Sequence, residues 1–384
     1  MSKVHQKTPL AIAKGVYGIY GGAEKLCLEI IQVLLSKGFS IELITWAGEE
    51  WPLNNPLLKK IEIPNKPLNR KTKLIKFNNE CQKIFNSKNY HTILSFDHVE
   101  NCTHIHGGGG CHISFLQSIK NFESNFAYFL KRINGFHRAK LKIEEKVFAN
   151  CKKIHCCSKN MVEDLNTYYD INKAWVCANG FDYRKVHLDN EEKKQLKKKI
   201  IEKHNLRKGK EYLLFIGSDF KRKGLDFSFE ILNQLPEKYE LLVIGNGKAK
   251  KFSNQIDQLN LKTRVHFLGI QENAYQYGCI AKGLLLLSRF EPFGLVGLEA
   301  NAWGLPVLSS EFSGYADVIK EDQTGTIYPL KGTLEQQQKA LTEYSNLLEN
   351  LKEDQKEKIS YVSKKYDHSI FMESFIEDFL ELND

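Results

Sequence analysis

The stretch "GLLLLSRFEPFGLVGLEANAWGLPVLSS", residues 283–310, carries the pattern from which the class of fold can be inferred. It begins with one continuously apolar run, "GLLLLS", and ends with a second, "LPVLSS". A strand of a parallel sheet is buried on both faces, and it is therefore apolar throughout. Residues 293–303, between the two runs, are long enough for one helix. A strand, a helix and a strand in this order predict one repeat of an α/β wound sheet.

The same alternation extends outward in both directions. Further candidate strands are "LAIAKGV", "SIELITW", "HTILSF" and "KKIHCCS" in the first half of the chain, and "EYLLFIGS", "ELLVIG", "RVHFLG" and "GTIYPL" in the second. Helix-length amphipathic segments such as residues 22–36 and 224–235 lie between them. The alternation is interrupted once, at residues 179–210, which are polar and lysine-rich. We therefore predict an α/β protein with two Rossmann-like domains that face each other across a cleft.

Composition and charge narrow the class of partner. The chain has 384 residues, of which 42% are hydrophobic, and this composition is typical of globular proteins. No apolar run approaches the ~20 residues that span a bilayer, and residues 9–13 are too short for a signal-peptide core. These features predict a cytoplasmic protein. The net charge of +9 favours nucleic acid, an anionic membrane or phosphorylated ligands. Because the chain has no zinc-finger, RNP or basic-zipper pattern, we expect no nucleic-acid partner.

The stretch "GSDFKRKG", residues 217–224, is the first candidate for a ligand site. It follows the predicted strand "EYLLFIG" and precedes a helix, so it lies at the sheet edge where α/β proteins bind ligands. Lys221, Arg222 and Lys223 repel one another on a tight turn unless an anion lies among them. A diphosphate is a suitable anionic ligand, because Arg and Lys donate charge-assisted hydrogen bonds to it. The alternative is a solvated basic loop.

Two carboxylates in the opening stretch form the second candidate. Glu291 lies in the loop after "GLLLLS", and Glu299 lies eight positions later, two turns into a helix that we expect to begin at residues 292–293. The first backbone N–H groups of that helix, near Gly294, Leu295 and Val296, have no partner within the helix and are free to bind an anion. In the alternative interpretation, Glu291 only interacts favourably with the helix dipole, and Glu299 is exposed to solvent.

Glycines after the first strand and a stretch rich in histidine complete the candidates. In "GVYGIYGGAEKL", Gly21 and Gly22 open a helix, where backbone N–H groups can approach a phosphate or simply pack tightly. The second stretch, "CTHIHGGGGCHIS", fits a metal site, a phosphate cradle or a sugar pocket equally well. As a zinc site it would draw its ligands from five residues: Cys102, His104, His106, Cys111 and His112. The chain contains no D-x-D motif for a divalent metal, and we predict that no metal is required.

Taken together, these motifs resemble the retaining glycosyltransferases of family 4, which have the GT-B fold. "EPFGLVGLEA" looks like the E-x7-E motif of that family, "GGAEK" like its N-terminal glycine loop, and "GSDFKRKG" like its diphosphate-binding Arg-Lys pair. "CANGFD" is similar to the "P-N-G-V-D" that ends the first domain, with Cys177 and Ala178 as departures. The likeness is greatest to lipopolysaccharide core glucosyltransferases, through "GSDFKRKGLDFSFEILNQLP".

The resemblance implies an N-terminal acceptor domain at residues 1–187 and a nucleotide-sugar donor domain at residues 188–366. It also implies a C-terminal helix, residues 367–384, that returns toward the first domain. The implied activity is transfer of a hexose, from UDP-glucose or a similar donor, to a lipopolysaccharide-core or other glycan acceptor. The acceptor would be a glycolipid or an oligosaccharide. The nucleotide sugar is then a substrate, and no cofactor is implied.

The resemblance also implies roles for individual residues. Glu299 binds the ribose hydroxyls, Arg222 and Lys223 neutralise the leaving diphosphate, and Glu291 contacts the donor sugar near its anomeric carbon. The other implied donor-binding residues are glycines and backbone amides: Gly21, Gly22, Gly217, Gly294, Leu295 and Val296. His106 is the preferred contact to the donor sugar and His112 is the second choice. Core glucosyltransferases often carry an aspartate in this loop, and the resemblance implies that Gly109 stands in its place here.

Residues 115–148 mix phenylalanines with lysines and arginines at helical spacing. One interpretation is an ordinary pair of packing helices. The other is an interfacial helix that attracts anionic lipid. With the resemblance, the second interpretation predicts peripheral association with an anionic membrane, at the inner face of the cytoplasmic membrane. Two further functions remain open: a nucleotide-sugar-binding protein without transfer activity, and a zinc-dependent enzyme that uses the histidine-rich stretch.

Overall fold

The structure, a computed structural model, describes residues 9–18, 22–88, 90–186 and 188–381. The chain forms two compact units. The first unit comprises Met1–Ala178 together with Met372–Asp384, and the second comprises Asn179–Phe371. Each unit is built on one parallel sheet flanked by helices. The prediction of two Rossmann-like α/β domains is therefore confirmed.

The sheet of the first unit has seven parallel strands in the order β3-β2-β1-β4-β5-β6-β7. These strands are β1 (Leu10–Ala13), β2 (Ile41–Trp46), β3 (Leu58–Ile63), β4 (Ile93–Ser95), β5 (His104–His106), β6 (Lys153–Cys156) and β7 (Ala174–Val176). Every residue of β1, β2, β4 and β5 is buried, as central strands covered on both faces must be. The helices of this unit before its C-terminal segment are α1 (Gly22–Ser36), α2 (Arg70–Ser87), α3 (His112–Phe122), α4 (Asn125–Ile133), α5 (Gly135–Asn150) and α6 (Lys159–Tyr169).

The sheet of the second unit has six parallel strands in the order β10-β9-β8-β11-β12-β13. These strands are β8 (Glu211–Ile216), β9 (Tyr239–Ile244), β10 (Val265–Gly269), β11 (Ala281–Leu286), β12 (Val307–Ser310) and β13 (Gly325–Tyr328). The helices are α7 (Asn190–Lys203), α8 (Leu225–Gln234), α9 (Ser253–Gln258), α10 (Leu295–Ala302), α11 (Ala316–Asp322), α12 (Leu334–Asn350) and α13 (Glu353–Lys365). The neighbours β8 and β11 are the strands at which the strand order reverses, which is where open α/β sheets bind ligands.

The last helix, α14 (His368–Glu381), carries the chain back to the first unit. Phe375 and Phe379 on this helix are fully buried. The ring of Phe375 lies 4.5 Å from that of His155 on β6, and the ring of Phe379 lies 5.0 Å from that of His104 on β5. These contacts are the predicted return of a C-terminal helix to the first unit.

The structure moves the predicted domain boundary. The units divide at Ala178/Asn179 instead of 187/188, because the N–H of Phe181 donates to the carbonyl of Tyr366 at 3.0 Å and Gly180 packs against the backbone of His368. These contacts tie the polar segment after residue 178 to the second unit, which extends to Phe371 where the prediction ended it at residue 366.

Several elements differ from the sequence-based prediction. The helix expected to begin at residues 292–293 begins at Leu295, because Gly294 precedes it in the left-handed conformation, with φ +101°. Glu299 is therefore the fifth residue of this helix instead of lying two turns into it. Three strands are absent from the predicted set: β3, in which Lys59, Lys60 and Glu62 are exposed, and β5 and β7, which have only three residues each.

Among the described residues, no helix is both long enough and apolar enough to cross a membrane.

The buried histidines under α14 predict a dependence of stability on pH. Burial, with the charges of Lys153 and Lys152, lowers the pKa of His104 to about 4 from the ordinary 6.5. The folded state then binds fewer protons than the unfolded chain between these values, so stability falls as the pH falls from 6.5 to 4. His104 alone accounts for about 3 kcal/mol over this range.

We therefore expect His104→Phe, which keeps the ring contacts, to flatten the pH dependence of unfolding. Denaturant unfolding followed by tryptophan fluorescence at several pH values measures this. The control is His91→Phe, the same change at an exposed histidine. An unchanged pH slope in His104→Phe would contradict the assignment.

Candidate active site

The loops after β8 and β11 of the second unit lie side by side. The N–H of Arg289 donates to the carbonyl of Arg222 at 2.8 Å, which joins the two loops through their backbones. Gly224 has a φ of +77°, and a Cβ at this position would lie 1.8 Å from the carbonyl oxygen of Leu287. Only glycine satisfies both the conformation and the close approach. The two predicted motifs, "GSDFKRKG" and "SRFEPFG", are thereby held at one edge of the sheet.

Three predicted catalytic residues meet between these loops. The ammonium of Lys223 bonds the carboxylate of Glu291, and the Arg222 guanidinium lies 3.4 Å from the same carboxylate oxygen. Arg222 Nη1 also donates to the carbonyl of Phe290 at 2.7 Å. Burial would raise the pKa of Glu291, but the neighbouring Lys223 and Arg222 outweigh it and hold the pKa below its ordinary value. Glu291 is therefore ionised at neutral pH.

Each of the three cations on the loop has a carboxylate partner within the second unit. Lys221 pairs with Asp226 at 3.4 Å, and Arg222 lies 3.5 Å from Asp219 as well as close to Glu291. The repulsion among these cations is therefore relieved by carboxylates of the protein itself, and it does not require a bound anion. The four cations Lys221, Arg222, Lys223 and Arg289 outnumber the three carboxylates Asp219, Asp226 and Glu291 by one, and this net charge of +1 favours an anionic ligand.

Helix α10 begins four residues after Glu291, at the end of the same loop. Gly294 is its N-cap and has no side chain to accept hydrogen bonds from the first turn. Leu295 and Val296, the first two helical residues, are half-buried. Amide N–H groups in the first turn of a helix lack partners within the helix, and the helix dipole adds partial positive charge there. A Cβ on Gly294 would lie 2.9 Å from Leu286 and 3.1 Å from the Ser313 hydroxyl, so the position is tightly packed.

The remaining donor-side residues are Glu299 and Gly217. Glu299 is half-buried on α10, and its charge adds to the effect of burial in raising the pKa of Tyr275. Gly217 follows β8, and its N–H donates to the carbonyl of Ile244 at 2.9 Å. A Cβ on Gly217 would lie 3.0 Å from the stem of Lys223, which therefore packs directly over this glycine. The roles of both residues remain predictions.

In the first unit, Gly22 is the first residue of α1, and Gly21 lies outside the described residues. Beside this helix the structure assembles a charged group that the sequence analysis missed. The ammonium of Lys14, which is almost fully buried, lies 3.1 Å from Glu24 and 3.2 Å from Asp97. Lys14 and Asp97 follow β1 and β4, the neighbours at which this sheet reverses its order. The available signal was the position of Asp97 directly after the predicted strand "HTILSF", whereas Lys14 falls inside the predicted strand "LAIAKGV".

The histidines of the "HIHGGGGCH" stretch pack within the first unit. His106 is 6% exposed, and its ring lies 5.0 Å from that of Phe96 and 6.0 Å from that of Phe375. The His112 ring nitrogen lies 2.9 Å from that of His137, and its backbone N–H donates to the fully buried carboxylate of Glu144. The contact of His106 to a donor sugar, with His112 as second choice, remains a prediction.

The zinc alternative finds no support in the geometry. Within the described part of the chain, no three His, Cys, Asp or Glu side chains are grouped so that they could hold a metal ion. The candidate ligands have separate neighbours: His104 stacks on His155, while His112 bonds His137. His104 and His106 both lie on β5, and their rings contact Phe379 and Phe96, respectively.

A family model matches most of the second unit. Residues 196–365 match the model of the glycosyl transferases group 1. The predicted resemblance to glycosyltransferases is confirmed over these residues. The match begins inside α7, ends with α13 and includes both loops described above.

Individual relatives agree with this class. The chain is 36% identical over 130 residues to the lipopolysaccharide glucosyltransferase WaaG of Escherichia coli. This alignment covers 33% of this chain and 35% of that protein. It is 31% identical over 170 residues to an uncharacterized 41.2 kDa protein in the cps region of Klebsiella pneumoniae, covering 42% of this chain and 46% of the relative. The chain thus aligns with between a third and a half of the length of these curated relatives.

Solved structures match over nearly the whole chain. The crystal structure of WaaG has a TM-score of 0.78 at 21% identity and covers 96% of this chain and 99% of WaaG. The structure of Anabaena Alr3699/HepE in complex with UDP-glucose has a TM-score of 0.68 at 15% identity and covers 97% and 99% of the two chains. The predicted GT-B fold is confirmed by these matches.

We expect Gly294→Ala to weaken the binding of UDP and to destabilise the protein. A left-handed alanine costs about 1–2 kcal/mol, and its Cβ would press on Leu286 and move the start of α10. Thermal unfolding and isothermal titration with UDP measure both effects. The matched control is Gly209→Ala, which has a φ of +80° but open space around the added Cβ. If both variants bind UDP as the wild type does, α10 does not contact the nucleotide.

Proposed function

We propose that this protein is a retaining glycosyltransferase that moves a hexose from a nucleotide sugar, UDP-glucose or a close analogue, to a lipopolysaccharide-core or other glycan acceptor. The observation that carries the proposal is the meeting of Lys223, Arg222 and Glu291 beside the N-terminus of α10. Two cations and a helix N-terminus suit a diphosphate, and an ionised carboxylate can accept hydrogen bonds from sugar hydroxyls.

The donor and acceptor are inferred from the relatives. WaaG is named as a lipopolysaccharide glucosyltransferase, and the Anabaena protein was crystallised with UDP-glucose. The two loops of the second unit and α10 offer the matching chemistry. In this proposal Arg222 and Lys223 bind the diphosphate, Leu295 and Val296 donate backbone N–H groups to it, and Glu299 accepts hydrogen bonds from the ribose hydroxyls.

The reaction breaks one bond and forms one. The bond between the anomeric carbon and the diphosphate oxygen breaks, and its electron pair leaves with UDP. Negative charge therefore grows on the diphosphate, where Arg222 and Lys223 stabilise it. Glu291 stabilises the positive charge that develops near the anomeric carbon. The acceptor hydroxyl attacks from the face that UDP leaves, its proton passes to the leaving diphosphate, and the anomeric configuration is retained.

We also propose that the transfer requires no metal ion. The two cations supply, at the leaving diphosphate, the positive charge that a divalent metal supplies in other transferases. Turnover in the presence of excess EDTA tests this directly. Activity that is lost with EDTA and restored by a divalent cation would refute the metal-independent form of the mechanism.

The central test is the kinetics of Lys223→Ala with UDP-glucose, measured as release of UDP. Removal of one transition-state cation is expected to lower kcat by about 10²–10³-fold, with a smaller change in KM, because the charge on the diphosphate grows as the bond breaks.

The control for this test is Lys262→Ala, which removes an exposed lysine paired with Asp257 at 3.0 Å. If Lys223→Ala raises only KM and leaves kcat unchanged, Lys223 does not stabilise the leaving diphosphate. If the wild type binds UDP-glucose but never releases UDP, with or without an extract of candidate acceptors, the protein is a nucleotide-sugar binder.

We propose further that the enzyme associates with the anionic inner face of the cytoplasmic membrane through α4. None of the residues of α4 is buried, and its apolar residues Phe126, Phe129, Leu130 and Ile133 are between 47% and 69% exposed. The last turn carries Lys131 and Arg132. An exposed apolar face beside basic residues is the composition of an interfacial helix. Each basic residue near such a surface adds about 1 kcal/mol of attraction.

We expect the double variant Phe126→Ser/Phe129→Ser to lose most of its binding to vesicles that contain phosphatidylglycerol. Sedimentation with vesicles of anionic and of purely zwitterionic lipid measures this. The matched control is Ile270→Ser/Leu334→Ser, which removes two exposed apolar side chains from the second unit. Equal binding of the two double variants would show that α4 does not contact the membrane.

A further inference from the structure

Arg289 is a buried arginine next to the proposed diphosphate site, and the mechanism above does not use it. It follows β11 in the sequence "SRFEP" and is 6% exposed. Its guanidinium makes a two-pronged pair with Asp226: Nη1 donates to Oδ1 at 2.8 Å and Nη2 donates to Oδ2. The guanidinium also lies over the ring of Phe227, 4.3 Å from its centre. A buried charge held in so many contacts has a defined position.

Arg289 joins the two loops of the site at several points. Besides the pair with Asp226 on α8, its Nη1 donates to the carbonyl of Lys221, and its backbone N–H donates to the carbonyl of Arg222 at 2.8 Å. In return, Arg222 donates to the carbonyl of Phe290 at 2.7 Å. The backbone that carries Arg222 and Lys223 is thus fastened to the loop that carries Glu291.

The charge of Arg289 is matched within this arrangement. Burial would raise the pKa of Asp226, but the hydrogen bonds and charge of Arg289, with Lys221, lower the pKa below its ordinary value. Asp226 is therefore ionised, and the Arg289–Asp226 pair is neutral as a whole. A neutral pair adds little attraction for an anion, so its contribution to the site is geometric.

We propose that Arg289 and Asp226 are positioning residues, which hold Arg222 and Lys223 in place against Glu291 for the departure of the diphosphate. The inference rests on the proposed function and deepens it. Lysine and arginine side chains are long and flexible, and their value in a transition state depends on where their backbone is held. A displacement of about 1 Å at a reacting group can reduce the rate by about 10²-fold.

The experiment compares Arg289→Ala, Arg289→Lys and Asp226→Asn with the wild type, with UDP-glucose turnover and UDP affinity as separate readouts. We expect Arg289→Ala to lower kcat by about 10–100-fold while the Kd for UDP changes much less. Arg289→Lys is expected to rescue little, because an ammonium cannot bond both oxygens of Asp226 and the carbonyl of Lys221 together. Asp226→Asn is expected to resemble Arg289→Ala.

A matched structural control is available at the opposite edge of the same sheet. Arg207 bonds Glu240, a fully buried carboxylate in the second position of β9. Arg207→Ala thus breaks another arginine–carboxylate pair of the second unit, away from the ends of β8 and β11. It is expected to lower the thermal midpoint without a comparable loss of kcat. If Arg207→Ala and Arg289→Ala lose the same activity for the same loss of stability, Arg289 has no positioning role.

A double-mutant cycle separates positioning from stability more sharply. If Arg289 acts through the cations, Arg289→Ala should lower kcat by less than about threefold in an Arg222→Ala/Lys223→Ala background. An equal loss in both backgrounds would overturn the inference and leave the proposed function intact. A wild-type protein that neither binds UDP nor turns over UDP-glucose would overturn the proposed function, and this inference with it.

Discussion

The site in the second unit depends on one close approach between two backbones. At Gly224 the chain passes so near the carbonyl of Leu287 that no side chain fits between them. Strands β8 and β11 bring the two loops to the same edge of the sheet, and the missing Cβ lets them touch. Two features of the site lie next to that contact: the backbone bond between Arg289 and Arg222, and the pair of Lys223 with Glu291.

The two buried carboxylates of this site, Glu291 and Asp226, each form ion pairs with neighbouring cations. Burial alone would favour the neutral form of Glu291 and of Asp226, yet both are held ionised by the cations beside them. The two carboxylates have different consequences. Asp226 pairs with Arg289, whereas Glu291 contacts Arg222 and Lys223, the two residues that we propose bind the diphosphate. One carboxylate therefore fixes geometry, and the other sets the local charge that a ligand meets.

The first unit contains buried histidines in its core and, in α4, a helix without a buried residue. His104 and His155 lie on neighbouring strands under Phe375 and Phe379, so the last helix of the chain covers titratable groups in neutral form. In contrast, α4 has no buried residue and exposes an apolar face beside basic side chains. A closely packed core and an exposed apolar helix face are thus separate features of the same unit.

The sequence by itself determined the two parallel sheets, the helix at residues 22–36 and the two loops of the site, because continuous apolar runs and glycine positions are local signals. It did not reveal β3, because this edge strand carries charged, exposed residues and lacks a continuous apolar run. It also did not reveal the start of α10, which depends on the left-handed conformation of Gly294. Only the tertiary structure decided that Lys223 pairs with Glu291, that Asp226 pairs with Arg289, and that His106 lies in an aromatic core. The partners of these side chains come from segments tens to hundreds of residues away, and periodicity along the chain carries no information about which distant segment will be packed beside them.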